Sequence, residues 1–150
     1  MDTKEILNRK ARHDFLVLET YEAGIVLTGT EVKSIRLGKA SLIGAFGKVD
    51  KDEVWLIGSH IDEYAQGNRN NHDPKRFRKL LLKKSEIEKL KSFSDIKGRA
   101  LIPLKIYFNN RGFAKVLLAV CEGKTHMDRR EDIKKRDTER EMRQAMKRRR

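Results

Sequence analysis

The sequence predicts a mainly β protein: a small closed barrel of antiparallel strands with a few short helices, followed by a basic tail. Three observations carry this reading. Up to Gly123 apolar runs arrive every ten to fifteen residues, at the length and spacing of strands. Turn signals separate them. Beyond Gly123 the apolar runs stop. Strands this short leave exposed edges unless the sheet closes on itself, which favours a barrel. An open sheet with helices on one face is the competing architecture.

Taken in order, a helix is expected from Thr3 to about Lys10. Strands follow at Phe15-Leu16-Val17-Leu18 and Gly24-Ile25-Val26-Leu27, on either side of Tyr21-Glu22-Ala23. Thr28 followed by Glu31 is a capping-box pattern, so a second helix starts there and ends at Gly38, with Val32 and Ile35 inward. Leu42 to Val49 and Val54 to Ile61 predict two more strands, joined by a turn at Asp50-Lys51-Asp52. Gly67 to Pro74 is a polar run expected to form an exposed, flexible loop. Ser85 and Glu88 suggest another capping box, opening a helix with Ile87, Leu90 and Phe93 inward and Gly98 as the stop. The last strands, Ala100 to Phe108 and Phe113 to Cys121, enclose Asn109-Asn110-Arg111-Gly112. Asn and Gly tolerate the positive φ of tight turns, so this is a strong hairpin signal.

The final 27 residues, 124–150, hold twelve Lys/Arg and six Asp/Glu but only Met127, Ile133, Met142 and Met146, with Ala145 beside them, as aliphatic or Met side chains. So few cannot offset the entropy of ordering, and the segment is expected to be disordered alone. Its Lys, Arg and Glu content favours helix once a polyanion supplies contacts. The chain thus divides into a barrel at 1–123 and a tail at 124–150.

Over all 150 residues, 35 Lys/Arg face 22 Asp/Glu, a formal net charge of +13. An excess of that size points to a polyanion, either nucleic acid or an anionic membrane surface. Cys121 is the one cysteine, which excludes an internal disulfide and a Cys-based zinc site. No apolar run approaches the ~18 residues of a membrane span. The N-terminus lacks the apolar stretch of a signal peptide, so a reducing cytoplasm is expected.

The sequence carries no recognisable catalytic constellation. His13, His60, His72 and His126 are scattered, without the i, i+4 spacing of a helical metal pair, and read as surface or RNA-facing imidazoles. Cys121 closes an apolar run and reads as a packing residue. Gly38-Lys39 fails as a phosphate loop, because Lys33 stands where the motif needs Gly and Ala40 where it needs Ser or Thr. Gly44-Ala45-Phe46-Gly47 has the GXXG pattern of a KH domain but lies in a strand-like run. Asp50, Asp52 and Glu53 form the one tight acidic group, in a turn. What remains is cationic: Arg9, Lys10, Arg12 and His13; then Lys33, Arg36 and Lys39; then Lys75, Arg76, Arg78 and Lys79. With Tyr21, Tyr64 and Phe77 available for stacking, these favour an RNA surface.

Several stretches resemble one family. They are NRKARHDF at Asn8–Phe15, EAGIVLTGTEVKSIRLGKA at Glu22–Ala40, HDPKRFRKLLL at His72–Leu82, PLKIYF at Pro103–Phe108, Gly123-Lys124 and Asp128–Arg130. Together they are similar to the small protein B (SmpB) family, the tmRNA-binding or SsrA-binding proteins of bacterial trans-translation. The resemblance implies an oligonucleotide-binding (OB-type) barrel of six antiparallel strands with three short helices. It also implies delivery of alanyl-tmRNA to stalled ribosomes, so that nascent peptides are tagged for degradation, with no catalysis and no cofactor or metal. The implied partners are the tRNA-like domain of tmRNA, the ribosomal decoding site and mRNA channel, and elongation factor Tu through alanyl-tmRNA, for a monomeric protein.

Carried over by position, the RNA-facing residues are Asn8, Arg9, Lys10, Arg12, His13 and Glu22, then Lys33, Arg36, Lys39, Arg76, Arg78 and Lys79. Glu22 repels phosphate, so it either accepts from a base or sugar donor or pairs with Arg12 or a lysine to brace the surface. The tail residues implied to face the ribosome, as a helix, are Lys124, His126, Asp128, Arg129, Arg130, Lys134, Lys135, Arg136, Met146 and Lys147. Met127 stands where the family usually has Tyr or His. A general or ribosomal RNA-binding protein or RNA chaperone is the alternative, and a metal-dependent RNA-processing enzyme a more distant one.

Overall fold

In the computed structural model, which describes residues 4–67, 70–123 and 140, the chain is mainly β with three short helices. In chain order the described elements are β1 (Ile6–Leu7), α1 (Arg9–Asp14), β2 (Phe15–Ile25), α2 (Gly29–Arg36), β3 (Ala40–Ser41) and β4 (Phe46–Asp50). Then come β5 (Glu53–Ile57), β6 (His60–Ile61), β7 (Arg78–Leu81), α3 (Lys84–Ser94), β8 (Arg99–Phe108) and β9 (Ala114–Gly123).

All pairings are antiparallel. β8 pairs with β4, β4 with β5, β5 with β7, β7 with β2, β2 with β9 and β9 with β8 again. Six strands therefore form a ring, whereas an open sheet with helices on one face would leave that last pairing unmade. β1 takes the same edge of β8 as β4, further along, and β3 pairs with β6 apart from the ring. β4 meets β8 through one residue pair, Gly47 with Leu101. A Cβ on Gly47 would stand 3.1 Å from Leu101 Cβ and 3.3 Å from Leu118 Cδ1, so the missing side chain is what lets these strands meet.

Side chains alternate across the ring wall. On β9, Val116, Leu118 and Val120 join the main core with Ala23, Val54, Leu56, Leu80, Leu101 and Ile106, while Ala119 and Cys121 point outward. Register shifts between Val17 and Glu19, and between Pro103 and Lys105, alter the alternation on β2 and β8. As a result Ile102 and Leu104 join Ala119 and Cys121 in a second, outer cluster, which Ala11 of α1 covers. Two helices close the ring's ends. Ile35 of α2 and Leu90 of α3 both enter the main core. Arg36 of α2 lies over Phe108, at one end of β8, and Phe93 of α3 lies under Arg99, at the other.

Several elements differ from expectation. The two runs around Tyr21 merge into one eleven-residue strand, β2, which ends at Ile25, short of Val26 and Leu27. Leu42 to Val49 is broken by a turn in which Ala45 N–H bonds the Leu42 carbonyl (3.0 Å), and Val54 to Ile61 splits at Gly58, whose φ is +82. The first helix is α1 and not Thr3 to Lys10, because residues 6–7 pair with β8. α3 begins earlier: the Glu86 carboxylate accepts from Lys83 N–H (3.0 Å), in place of the Ser85 and Glu88 box. β7 is hidden in the sequence by its flanking basic residues. Two expectations hold in detail. Thr28 and Glu31 form the full capping box of α2, and Asn109 Oδ1 accepts from the Arg111 and Phe113 N–H groups in the β8–β9 hairpin. Apart from Arg140, the tail lies outside the described residues.

Candidate nucleic-acid interface

α1 is short and amphipathic. Ala11 packs onto the outer cluster of β8 and β9, which turns Arg9, Lys10, Arg12 and His13 out to solvent. Asn8, just before it, is buried. Its Nδ2 donates to the carbonyls of Pro103 (2.9 Å) and Leu42 (3.2 Å), so it fixes the helix start on the ring and does not face solvent. Arg12 and His13 occupy the last turn, where the helix dipole favours positive charge. Among the described residues no ion pair involves Arg9, Lys10, Arg12, Lys33, Arg36 or Lys39. Unpaired surface cations are what a polyanion can use, since displacing counterions from its phosphates drives binding.

The outer face beside α1 carries groups that the sequence alone did not single out. Lys105 and Tyr107 point outward from β8, and Lys115 of β9 is the Cα partner of Tyr107. The Tyr107 hydroxyl donates to Glu22 Oε2, and Lys105 Nζ sits 4.9 Å from the centre of the Tyr107 ring. Burial, then the hydrogen bond to Glu22 and its charge, push the Tyr107 phenol up to about 12, so it remains a donor at neutral pH. Glu22 therefore braces against Tyr107, not Arg12. Outward parity on β8 and β9 was the available signal: Lys105, Tyr107 and Lys115 interrupt otherwise apolar runs.

The second cluster divides. Lys33 Nζ lies 5.3 Å from the centre of the Tyr64 ring, while Arg36 lies over Phe108 at 5.2 Å. Lys39 follows Gly38, which packs against the side chain of Lys4, so the segment just before β1 lies beside this cluster.

The third cluster does not form one surface. Arg78 is fully buried and all five of its N–H groups are engaged. Nε donates to Glu31 Oε2 (2.5 Å), one terminal nitrogen to Ser59 Oγ and O (2.9 and 3.3 Å), and the other to the carbonyls of Pro74 and Asp73 (3.1 and 3.3 Å). Arg76 donates to the other Glu31 oxygen (2.6 Å) and to the Val26 carbonyl (3.2 Å). Burial alone would raise the Glu31 carboxyl, but the bonds from Arg76, Thr28 N–H and Arg78 outweigh it and hold the group below its usual range. Lys79 pairs with Glu53 (3.5 Å) on the outer face of β5 and β7, across the ring from β9.

His72 is buried, not surface-facing. Its Nε2 bonds the Ile61 carbonyl (2.9 Å), which assigns the proton there and leaves Nδ1 to accept from Thr30 (2.8 Å). In the polar stretch that precedes Pro74, Asn71 is pinned as well, since it both donates to and accepts from the Tyr64 backbone (2.6 and 3.0 Å). Cys121 is buried among apolar side chains, and burial, opposed by the Arg12 charge, pushes its thiol up to about 11, as befits a packing residue. Phe77 is exposed, but Tyr21 is half-buried, with its hydroxyl bonded to Glu19 (2.8 Å). Lys124, His126, Asp128, Arg129, Arg130, Lys134, Lys135, Arg136, Met146 and Lys147 lie outside the described residues.

Comparison with known proteins gives a consistent answer. A protein-family model described as "SmpB protein" matches residues 5–148. The SsrA-binding protein of Geobacillus sp. (strain WCH70) is 56% identical over 138 residues, covering 92% of this chain and 88% of that protein. The SsrA-binding protein of Bacillus subtilis (strain 168) is 52% identical over 138 residues, with the same coverage of both chains. A solved structure described as "tmRNA-SmpB: a journey to the center of the bacterial ribosome" superposes with a TM-score of 0.71 at 48% identity, covering 86% of this chain and 94% of the other.

Proposed function

Because this chain belongs to the SmpB protein family, we propose that it binds tmRNA (SsrA RNA) and serves with it in trans-translation on the bacterial ribosome. The observation that carries the physical side of this reading is α1: three basic residues and a histidine, exposed and, among the described residues, without ion pairs, on a helix seated on the strand ring. Such a surface releases counterions from RNA and selects it by curvature and by exposed bases. It makes and breaks no bond, so the protein is a carrier and not an enzyme.

The strand ring is an OB-type barrel, and its α1 face grips the tRNA-like domain of tmRNA. Arg9, Lys10, Arg12 and His13 meet phosphate. Glu22, oriented by Tyr107, accepts from a base or sugar donor. Lys33, Arg36 and Lys39 extend the interface. Asn8, Arg76 and Arg78 support that surface from beneath, and Lys79 faces elsewhere. The tail, 124–150, enters the decoding site and mRNA channel where mRNA is missing and becomes helical there. At about 1.5 Å per residue, twenty helical residues reach roughly 30 Å. The protein works as a cytoplasmic monomer and meets elongation factor Tu through alanyl-tmRNA.

One experiment separates these roles. Full-length protein and a variant lacking Met127–Arg150 are compared for tmRNA affinity, with bulk transcripts as competitor, and for peptide tagging. The expected result is selective binding by both and tagging by the full-length chain alone. Undiminished tagging after the deletion would remove the tail's role. Equal binding to bulk RNA would indicate a general RNA-binding protein or chaperone.

A further inference from the structure

Beside α1 lies a groove of about 390 Å³ whose walls are α1 and the turn between β3 and β4. Ile102, Phe15, Ile43 and Phe46 make it mainly apolar, and Lys10 and Asp14 stand at its edge. Ile43 is 67% exposed and Phe46 41% exposed, so two large apolar side chains face water at the border of a strongly cationic surface. Isolated exposed apolar residues are ordinary, but these two line one concave, mainly apolar space edged by a few polar groups, the form that ligand sites take.

The groove is built, not incidental. Asn8 Nδ2 bonds Leu42 O and Pro103 O, which ties the start of α1 to the facing turn and sets the distance between the walls. The turn itself is closed by Ala45 N–H on Leu42 O (3.0 Å) and by Ile43 N–H on Ser41 Oγ (3.2 Å). Gly44 takes φ +77 there, a conformation that suits glycine.

We propose that this groove receives one unpaired base of the bound RNA, stacked against Phe46 and packed on Ile43, with its phosphate near Lys10. The inference rests on the tmRNA reading above and adds a base-binding site to it. The charge argues for this occupant: the groove opens beside Arg9, Lys10 and Arg12, which draw a polyanion and would repel a basic peptide. Size argues the same way, because the space admits one or two planar rings but no duplex. Bases splayed from folded RNA are commonly recognised by such apolar and aromatic surfaces, whatever their sequence. Asp14 can accept from a base N–H at the edge and so lend some preference among bases.

The test uses full-length protein and a transcript of the tRNA-like domain in which 2-aminopurine replaces each unpaired purine in turn. One position is expected to change fluorescence on binding, and the change should disappear with Phe46→Ala. Phe46→Ala and Ile43→Ser should each weaken binding by about five- to a hundred-fold, the loss of one stacked base, with the salt dependence unchanged. Both side chains are substantially exposed, so both variants should fold, which thermal melts verify. Wild-type affinity in both variants, or no fluorescent position responding to Phe46→Ala, would overturn the groove's role while leaving tmRNA binding intact. Failure of the wild-type protein to prefer the tRNA-like domain would overturn both.

Discussion

Glu31 sits out of water between two guanidinium groups, and its carboxylate also accepts the Thr28 N–H of the capping box (2.8 Å). One side chain thus joins the start of α2 to β7 and, through Arg78, to the loop before β7. An ion pair taken out of water is weak as a source of net stability, but removing one partner strands the other. Glu31→Ala should therefore destabilise the fold by about 3–5 kcal/mol in urea unfolding. The pH dependence has a definite sign. The folded-state pKa of Glu31 is lowered, so its contribution is complete above the ordinary carboxylate value, about 4.3, and is lost as pH falls through the lowered value. Glu31→Gln should be less stable at neutral pH and should flatten the loss of stability below about pH 4. An unchanged acid limb would remove Glu31 from that role. Glu31 was legible in the sequence only as a cap. Its burial could not be read, because the Arg78 partner lies 47 residues away on a strand hidden within a basic run.

At the scale of elements, closure of the ring depends on a single pair of residues, Gly47 and Leu101. Gly47→Val should clash with Leu101 and Leu118 and destabilise by about 1–3 kcal/mol, seen as a lower melting temperature. A melting temperature equal to wild type would mean the ring is not held at that point. Strands bounded by Gly, Asn or Asp were legible from local chemistry, as the Asn109–Gly112 turn and the α2 capping box demonstrate. Boundaries set by tertiary pairing were not. Residues 6–7 become strand because β8 offers them an edge, and that displaces the first helix to Arg9–Asp14. β2 runs on through Tyr21 because β9 pairs with it from Phe15 to Gly24.

For the whole molecule, net charge identified a polyanion partner but did not locate the surface. The count of Lys and Arg treats Arg9 and Arg78 alike, yet the fold exposes one and encloses the other. The cationic α1 face was legible because those residues cluster in sequence. The Tyr107 and Glu22 pair was not, because β9 stands between them. What results is a ring that carries Arg9, Lys10 and Arg12 on α1 without ion pairs among the described residues, while Lys79 on β7 is paired with Glu53. The decisive measurement is the affinity for the tRNA-like domain as a function of salt concentration, for the wild-type chain and for the Arg9→Glu, Lys10→Glu, Arg12→Glu triple variant. The predicted result is weaker binding and a plot of log K against log salt that is shallower by roughly one for each phosphate no longer neutralised. A slope equal to wild type would contradict the assignment of α1 as the RNA-gripping face.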